Sequence, residues 1–395
     1  MRALVVNYHA RPVGGVETHL RAVLPRLAER VGTLALLTVE GGDPGPSGVP
    51  VAGVEWLPDA GDTPDRVANT AARWRPDVVY THGLGPPAFE AELVEQFPTV
   101  MFMHNYGGLC ASGTKCHSFP GVRPCGRTLG PGCLALWYPR RCGGTNPVAA
   151  VRRYRTERAR LRSMKACRAV VVASRHMAAE MVRNGVRADR VHHVPLFPTG
   201  ATPDPVPPAP RPFSGRVLFV GRLTALKGLN HLLDALPRAA ASLGRPLTLV
   251  VAGDGPDRAK LEAAARRAGV RAEFLGWVSS DRRDAEMRAA DLLAVPSVWP
   301  EPFGLVGVEA GCVGLPAVGY AVGGIPDWLE PGVSGESAPG DRPDPRELAA
   351  AIVRALADPD HWQRLRVGAW ETARRFSPEA HMERLLPILQ NAARS

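Results

Sequence analysis

The feature that most constrains the fold is an alternation between short apolar runs and segments whose apolar residues recur at helical spacing. Runs such as RAVVVAS at 168–174 and PLTLVVAG at 246–253 have the length of a β-strand, and neither approaches the roughly 18 residues needed to cross a bilayer. Near-continuous apolar strands that alternate with helices are typical of parallel sheets covered on both faces. The sequence therefore predicts an α/β fold.

A proline-rich segment at 199–213 divides this pattern into two halves. Prolines stand at positions 203, 205, 207, 208, 210 and 212, and each removes a backbone donor and fixes φ, so the segment can be neither a central strand nor a helix interior. We interpret it as an extended linker between residues 1–198 and 214–377. Each half predicts a doubly wound, Rossmann-like parallel-sheet domain, and we expect the two domains to face each other across a cleft.

Composition and charge narrow the classes of function. Hydrophobic residues make up 45% of the chain and charged residues 22%, which is the balance of a soluble globular enzyme. The formal net charge is +10, but aromatic residues make up only 6% and no nucleic-acid-binding motif occurs, so nucleic acid is not expected as a partner. The first residues form a strand-like run without the pattern of a signal peptide, which predicts a cytoplasmic location.

Ligands of open parallel sheets bind at the carboxyl ends of the strands, so functional residues are expected in the loops that follow strands. Gly14 and Gly15 follow the first predicted strand and open a helix. Their backbone amides either approach an anion or form a tight turn. Glu17 and His19 come next and are expected on the helix surface unless the cleft includes them.

Two loops of the C-terminal half carry stronger signals. Arg222 and Lys227 flank a short loop after the strand RVLFV, where two cations either converge on one anion, such as a diphosphate, or face solvent. Glu301 and Glu309, eight positions apart, surround a predicted helix start. Carboxylates placed there can accept hydrogen bonds from vicinal hydroxyl groups, while the backbone amides of 303–305 can face a phosphate.

The motifs occur in an order that resembles a known family. GGVE, VGRLTALKG, VAGDGP, FLGWVS, PEPFGLVGVEAG and GGIPDWLEPGVSGE follow one another over nearly the whole chain, and this order resembles the retaining GT-B glycosyltransferases of family 4. The resemblance implies an acceptor-binding domain at 1–198 and a nucleotide-sugar-binding domain at 214–377. It also implies that a C-terminal helix at 378–395 packs back on the first domain.

The resemblance also implies a role for each motif. Arg222 and Lys227 would bind the leaving diphosphate, Glu309 the ribose hydroxyls, and Glu301 the donor sugar. Gly15 would cap the diphosphate, and residues 276–278 would flank the nucleobase. The complete set of donor-binding positions is Gly14, Gly15, Gly253, Asp254, Gly276, Trp277, Val278, Phe303, Gly304, Leu305 and Glu309.

Histidines at two strand ends are candidates for the acceptor side. His104 follows the strand TVMFM and matches the position of a histidine near the anomeric centre in the family, so it joins Arg222, Lys227 and Glu301 as a predicted catalytic residue. The alternative is a structural histidine at the end of a strand. His82, Asn105 and Tyr106 are further acceptor-side candidates.

The predicted reaction is a metal-independent, retaining transfer of a hexosyl group. The donor would be a nucleoside diphosphate sugar with UDP, GDP or ADP, and the acceptor a hydroxyl of a glycan, a lipid-linked molecule or a small molecule. No cofactor and no catalytic metal are expected, because the family pattern that the chain resembles lacks the Asp-x-Asp metal motif of the other large transferase fold. The alternatives are synthesis of a disaccharide phosphate, epimerisation of a nucleotide sugar, and a non-catalytic sugar-nucleotide-binding subunit.

Five of the seven cysteines lie in an insertion at 110–142, which we predict as a loop without helix or strand. No pair has the Cys-x2-Cys spacing of a zinc ribbon. Three alternatives stay open: packed free thiols, a structural metal site that could include His117, and disulfides. The cysteines are Cys110, Cys116, Cys125, Cys133 and Cys142.

The segment at 151–168 carries eight basic residues against one acidic residue. Val151, Tyr154, Leu161 and Met164 recur in it at roughly helical spacing. It is either a solvated helix packed on the sheet or a peripheral contact with an anionic membrane, on the inner membrane face.

Overall fold

The computed structural model describes residues 1–11, 13–40, 48–58, 63–83 and 85–394. These residues form two compact units. The first comprises Met1–Lys115, Gly126–Pro195 and Pro378–Ser395, and the second comprises Cys116–Cys125 and Leu196–Ser377. Each unit contains a parallel sheet with helices, which confirms the predicted α/β fold class.

The secondary structure follows the predicted alternation. The described strands are β1 (Arg2–Asn7), β2 (Thr33–Thr38), β3 (Glu55–Leu57), β4 (Val78–Thr81), β5 (Thr99–Met103), β6 (Cys116–His117), β7 (Arg123–Pro124), β8 (Ala169–Val172), β9 (Val191–His193), β10 (Arg216–Val220), β11 (Thr248–Ala252), β12 (Arg271–Gly276), β13 (Leu292–Val295), β14 (Ala317–Ala321) and β15 (Gly335–Pro339). The described α-helices are α1 (Gly15–Ala28), α2 (Pro64–Trp74), α3 (Pro87–Gln96), α4 (Gly132–Arg140), α5 (Pro147–Ala166), α6 (Arg175–Arg183), α7 (Leu229–Leu243), α8 (Arg258–Arg267), α9 (Ser280–Ala289), α10 (Val306–Cys312), α11 (Pro345–Leu356), α12 (Pro359–Arg374) and α13 (Pro378–Arg394).

The sheet of the first unit has the strand order β3-β2-β1-β4-β5-β8-β9, and every pairing in it is parallel. Its central strands β4, β5 and β8 are buried along their whole length. Continuous burial explains why these strands read as unbroken apolar runs in the sequence. The parallel order brings the ends of β1, β4 and β5 to one edge of the sheet.

The sheet of the second unit has the order β12-β11-β10-β13-β14-β15, again with parallel pairings. The strand order reverses between β10 and β13, the first and fourth strands of this sheet. A crevice forms at such a reversal because the two following segments cross to opposite faces of the sheet, and ligands of open α/β sheets bind there. The loops after β10 and β13 carry Arg222, Lys227 and Glu301.

Several elements differ from the prediction. β3 and β15 are absent from the predicted strands because β3 is only three residues long and β15 has the polar sequence GESAP. The insertion at 110–142 is not irregular throughout, because it contains the hairpin β6–β7 and the helix α4. Trp137 of α4 is buried in a small apolar cluster with Ala111, Ala150 and Tyr154.

The proline-rich segment contains no helix or strand and lies within the second unit. Its backbone carbonyls accept hydrogen bonds from side chains of α12. Trp370 Nε1 donates to Asp204 O at 2.8 Å, and Arg366 donates to Ala209 O at 2.7 Å. Prolines leave these carbonyls without a ladder partner, so side chains satisfy them instead.

The C-terminal helix α13 belongs to the first unit, where it contacts α1, β4 and β5. Its buried residues recur on one face, which is the pattern of a helix that packs on a sheet. His381 Nδ1 bonds to the carbonyl of Pro195 at 2.7 Å. The residues buried on this face are His381, Met382, Leu385, Ile388, Leu389 and Ala392.

The five cysteines of the insertion are divided between the units: Cys116 and Cys125 lie in the second. Cys116 Sγ contacts Val298 O at 3.8 Å, and Cys133 Sγ contacts Thr128 O at the same distance. Among the described residues, no group of three or more histidines, cysteines or carboxylates could hold a metal ion.

The basic segment forms most of α5, and its apolar residues are used inside the first unit. Tyr154, Leu161 and Met164 are buried, while Val151 is 39% exposed. Most of the apolar stripe is therefore packed within the first unit, and five arginines of α5 are exposed. In the described part of the chain, no helix combines the length and apolar character that a membrane crossing requires.

A buried ion pair anchors the insertion in the first unit. Lys115 and Glu180, which are 2% and 3% exposed, are joined by a 2.7 Å contact between Nζ and Oε2. The Lys115 ammonium also donates to the carbonyl of Arg127, and Arg183 contacts the other carboxylate oxygen of Glu180. Taking one partner away from a buried pair leaves an uncompensated charge out of water.

We expect Lys115→Met to lower the free energy of unfolding by about 3 kcal/mol, because the carboxylate of Glu180 then stays buried with only the half-exposed Arg183. The shift of the urea midpoint, followed by tryptophan fluorescence, measures this loss. Lys260→Met on the exposed surface of α8 is the control and should change the free energy of unfolding by less than about 0.5 kcal/mol. Equal midpoints for the two variants would contradict a stabilising role for the ion pair.

Candidate functional site

The sequence-predicted residues fall into two groups, one in each unit. The donor-side group of the second unit consists of Arg222, Lys227, Glu301, Glu309 and the loops after β11 and β12. The acceptor-side group of the first unit surrounds His82 and His104, and Gly14 and Gly15 also belong to that unit. We describe each group by itself.

Lys227 and Glu301 form the central contact of the donor-side group. Lys227 Nζ donates to Glu301 Oε1 at 2.7 Å, and the hydroxyl of Ser297 donates to the same oxygen at 2.6 Å. The Glu301 side chain is 7% exposed, while that of Lys227 is 30% exposed. The ammonium of Lys227 can therefore reach a ligand, while the buried hydroxyl of Ser297 holds the carboxylate of Glu301 in place.

Close backbone packing sets the position of Lys227 at the end of β10. Gly228 has φ +68°, and a Cβ at this residue would lie 1.9 Å from the carbonyl oxygen of Pro296. Val298 N donates to Leu226 O at 3.0 Å, which joins the loops after β10 and β13. Glycine is required here because both the left-handed conformation and the close approach exclude a side chain.

Arg222 differs from Lys227 in having no side-chain partner among the described residues. Its side chain is exposed, and no described residue forms a hydrogen bond or an ion pair with its guanidinium. The next residue, Leu223, is buried and holds the loop through a hydrogen bond from its amide to Asp254 O at 2.9 Å. An exposed guanidinium on a fixed loop is well suited to bind a phosphate in a forked geometry.

Glu309 lies on α10 and is largely buried. Its side chain is 12% exposed, and Arg283 NH1 lies 3.4 Å from Oε2. Burial raises the pKa of Glu309, whereas the charge of Arg283 lowers it. An additional hydrogen-bond donor, such as a hydroxyl group, would stabilise this carboxylate in its ionised form.

The loops after β11 and β12 meet beside this group. Gly253 N donates to Gly276 O at 2.8 Å, and a Cβ at Gly253 would lie 2.0 Å from the carbonyl oxygen of Gly221. The amide of Gly255 and then the guanidinium of Arg258 hold the pKa of Asp254 below its usual range. Trp277 follows Gly276 and is 80% exposed, which is unusual for a large aromatic residue.

The segment before α10 is fixed by Trp328. Its Nε1 donates to Phe303 O at 2.8 Å, and its ring fills the space beside Gly307. Gly304 has φ +82°, so it turns the chain where a residue with a side chain would be strained. Gly324 N donates to Glu301 O at 2.7 Å, which ties the GGIPD loop to the same segment.

The acceptor-side group lines a hollow of about 380 Å³, which lies in the first unit at the ends of β1, β4 and β5. Ligand pockets of this class start at roughly 300 Å³, so the hollow can hold a molecule of monosaccharide size. The polar and charged residues that line it are Asn7, Tyr8, His9, Glu17, His82, His104, Asn105 and Arg160.

Four histidines cluster at the base of this hollow. His82 Nδ1 lies 2.9 Å from His104 Nε2, so one ring donates and the other accepts. The rings of His19 and His381 meet edge to face, with their centroids 5.0 Å apart. The ring centroid of His19 lies 5.8 Å from that of His104. Their contact comes from α1, β4, β5 and α13, elements that are far apart in the sequence.

All four histidines are neutral at physiological pH. Burial, and then His381, lowers the pKa of His104 to about 3. Burial lowers the pKa of His381 to about 4 and holds those of His19 and His82 well below their ordinary value. His104 can therefore orient a hydroxyl group through a hydrogen bond but brings no positive charge to the hollow.

Glu17 and His19 were expected on the helix surface unless the cleft included them, and they are 5% and 4% exposed. Glu17 lines the hollow, which is the exception that the prediction named, whereas His19 is not among the lining residues. Glu17 Oε2 accepts the amide of Gly14 at 2.9 Å, and Oε1 accepts Asn7 Nδ2 at 3.2 Å. The glycine pair thus forms a turn capped by a carboxylate, and the amide of Gly14 is already occupied.

The remaining acceptor-side candidates, Asn105 and Tyr106, occupy different environments. Asn105 lines the hollow, and its side-chain oxygen accepts the amide of Gly107 at 2.8 Å. Tyr106 is completely buried beside His176, with ring centroids 6.1 Å apart, and does not line the hollow. Tyr106 is therefore a core residue, contrary to the prediction.

Sequence reasoning did not find several residues that hold the candidate groups. Ser297 and Arg283 contact the two predicted glutamates, and His381 and Arg160 belong to the acceptor-side group. Ser297 stands four residues before Glu301 and was the only one of them with a local signal. The other three come from helices without a recognisable motif, so only the fold reveals their positions.

Two family models match the chain, and together they cover most of it. The model described as Glycosyltransferase Family 4 matches residues 13–197, and the model described as Glycosyl transferases group 1 matches residues 213–375. The boundary between the two matches falls in the proline-rich segment.

Curated relatives and solved structures agree with these matches. A 2-deoxystreptamine glucosyltransferase of Streptomyces kanamyceticus is 41% identical over 144 residues, which are 36% of each chain. A D-inositol 3-phosphate glycosyltransferase of Xylanimonas cellulosilytica is 34% identical over 249 residues, which are 57% of each chain. The chain thus spans between about a third and somewhat more than half of the length of these relatives.

Among solved structures, Anabaena Alr3699/HepE in complex with UDP superposes with a TM-score of 0.68 at 21% identity, over 99% of this chain and all of the other. Sucrose-phosphate synthase from Thermosynechococcus elongatus gives a TM-score of 0.69 at 20% identity, over the full length of both chains. At this level of identity the likeness establishes the fold.

The histidine cluster predicts a loss of stability in mild acid. Unfolded histidines take up protons near pH 6.5, whereas the buried ones do so only at much lower pH. Their contribution to the free energy of unfolding is therefore complete above pH 6.5 and declines as the pH falls toward 4. Between pH 7 and 5, His104 and His381 should each account for about 2 kcal/mol of this decline.

His381→Asn should remove about one histidine's share of the pH dependence, because the amide can still donate to Pro195 O while carrying no titratable group. Chemical denaturation at pH 7 and pH 5 measures it for both proteins. The same pH dependence in wild type and variant would contradict the depressed pKa of His381.

Proposed function

Since this chain belongs to the GT-B glycosyltransferases of family 4, we propose that it transfers a hexosyl group from a nucleoside diphosphate sugar to a hydroxyl group of an acceptor. We propose further that the transfer proceeds with retention of configuration and without a metal ion. The observation that carries the proposal is the pair of cations after β10, Arg222 and Lys227, with Glu301 fixed beside Lys227.

In this proposal the two cations hold the diphosphate. Arg222 is exposed and has no partner among the described residues, and Lys227 keeps only the Glu301 contact while its side chain is 30% exposed. Both follow β10 at the reversal of the strand order, where ligands of such sheets bind. Two fixed positive charges can stabilise the negative charge that develops on the leaving diphosphate, which is the task a metal ion performs elsewhere.

The other donor-side residues fit the remaining parts of a nucleotide sugar. Glu309 has an oxygen that can accept hydrogen bonds from ribose hydroxyls, with Arg283 holding the carboxylate in place. Trp277 offers an exposed ring, and stacking against a nucleobase would cover it. Glu301 and the backbone of 303–304 would contact the sugar. Glu301 is suited to this because Ser297 and Lys227 fix its orientation.

Retention is proposed to follow from attack on the face from which the diphosphate leaves. The bond between the anomeric carbon and the diphosphate oxygen breaks, the bond to the acceptor oxygen forms, and the departing phosphate oxygen takes the acceptor's proton. No charged base is needed for this step. That requirement agrees with a neutral His104, which can orient a hydroxyl group but is a weak proton acceptor at this depressed pKa.

The curated relatives leave the acceptor open, because one acts on 2-deoxystreptamine and another on D-inositol 3-phosphate. The membrane contact that the basic segment suggested is not part of the proposal, since α5 buries most of its apolar residues within the first unit. A non-catalytic subunit is the second candidate. A transferase slowly releases free sugar and nucleotide from the donor when no acceptor is present, whereas a non-catalytic subunit does not.

Lys227→Ala should lower turnover of the nucleotide sugar by about 10²–10³-fold, because one of the two charges facing the leaving diphosphate is removed. The rate of nucleotide release from UDP-, GDP- and ADP-sugars measures the loss. Lys260→Ala removes the same charge from an exposed position on α8 and should retain normal turnover. Normal turnover in the Lys227 variant would exclude this lysine from the mechanism.

Chelation by EDTA should leave the rate of transfer unchanged, because Arg222 and Lys227 supply the positive charge that the diphosphate requires. The initial rate with and without EDTA, each followed by added Mg²⁺, measures this. A rate that EDTA abolishes and Mg²⁺ restores would contradict the metal-independent proposal.

A further inference from the structure

The charges around the hollow of the first unit indicate which class of acceptor it takes. We propose that this hollow binds an acceptor with an ammonium group, an amine-bearing polyol, and disfavours a phosphorylated polyol. The inference rests on the proposed function in assigning the acceptor to this hollow, and it goes beyond it by naming the acceptor's charge.

Arg160 is the one lysine or arginine among the described residues that line the hollow, and the protein already uses its charge. Its Nε donates to Glu90 at 3.2 Å, its NH1 to Glu157 at 3.2 Å, and its NH2 to Gly85 O at 2.6 Å. Glu90 is completely buried and Glu157 is 15% exposed, so both carboxylates are largely withdrawn from water beside this guanidinium. Two carboxylates against one guanidinium leave the trio with a net negative charge.

Glu17 adds a second negative charge, directly in the lining. The groups that hold it are neutral, namely the amide of Gly14 and the side-chain amide of Asn7. Each carboxylate oxygen has only one of these partners and keeps a free lone pair. A carboxylate that is 5% exposed and has no cationic partner gains most from a ligand that brings positive charge.

The other titratable groups near the hollow do not make its net charge positive. His82 and His104 are neutral because burial depresses their pKa. Glu40 contacts His9, a lining residue, and lies 3.8 Å from Arg11. The hydrogen bond from His9 lowers the pKa of Glu40. The carboxylates are those of Glu17, Glu40, Glu90 and Glu157, and the cations are Arg11 and Arg160. The carboxylates therefore outnumber the cations by two, or by one when His9 is protonated. None of the residues outside the described ranges is a lysine or an arginine.

One further atom indicates that a polar ligand completes the hollow. His82 is 4% exposed, and its Nε2 has no hydrogen-bond partner among the described residues, although its ring lines the hollow. A buried ring nitrogen without a partner is costly, and a ligand hydroxyl can supply one. Together with Asn7 and Asn105, it gives a polyol several neutral hydrogen-bond partners around one site of negative charge.

Binding of three cyclitols of the same ring size tests the proposal on the complete wild-type protein. 2-Deoxystreptamine is positively charged at pH 7, myo-inositol is neutral and D-inositol 3-phosphate is negatively charged. Titration calorimetry should rank their affinities in that order, with at least about a tenfold step between the first and the third. The step should shrink at high salt. Tighter binding of the phosphate, or no binding of the amine, would overturn the proposal.

Glu17→Gln keeps the shape, and its one amide oxygen can still accept the amide of Gly14, but it gives up the hydrogen bond from Asn7 and removes the charge. It should therefore reduce the preference for the amine over myo-inositol by about tenfold. Glu95→Gln makes the same charge change on the exposed surface of α3 and should keep the wild-type preference. An unchanged preference in the Glu17 variant would overturn the assignment of the charge to this residue. The wild-type order remains a test even if that variant does not fold.

The two hypotheses fail separately. The proposed function fails if nucleotide sugars are neither bound nor cleaved, an outcome measured on the donor-side group of the second unit. The acceptor inference fails on the binding order of three cyclitols without any donor present, an outcome measured on the hollow of the first unit.

Discussion

The contact between Lys227 and Glu301 is the interaction on which the donor-side group depends. It joins the loop after β10 to the loop after β13, across the reversal of strand order that opens the crevice. Ser297 and the amide of Gly324 fix Glu301 from within the protein, so the lysine takes its position from a carboxylate that hardly moves. A cation held in this way loses little entropy when it binds a phosphate, which is the advantage of a preorganised site.

The fold could be predicted from the sequence to the extent that burial dictates residue type. Strands such as β4 and β8 are apolar throughout because both faces of the sheet are covered. The same argument fails for β15, whose sequence GESAP is polar, and for α4, where only Trp137 is fully buried. Strand order and the path of the proline-rich segment depend on tertiary hydrogen bonds, and no local pattern encodes them.

The same distinction between local sequence signals and tertiary contacts applies to the residues of the candidate site. Arg222, Lys227 and Glu301 lie in loops and Glu309 lies on the short helix α10, in segments whose glycines and prolines mark them in the sequence, so their resemblance to family motifs was visible. Glu17 was assigned to the surface because a charged residue on a helix usually faces water. Its burial follows from the amides of Gly14 and Asn7, partners that become visible only once the turn has formed.

In the proposed assignment, the two candidate groups present different charges to their substrates. Arg222 and Lys227 offer the positive charge that a nucleoside diphosphate requires, whereas the carboxylates around the hollow of the first unit would repel it. An ammonium-bearing polyol would have the opposite preference. The charges proposed to bind each substrate at its own group would therefore also disfavour that substrate at the other group. The sign of the acceptor charge would then be part of the specificity that distinguishes donor from acceptor.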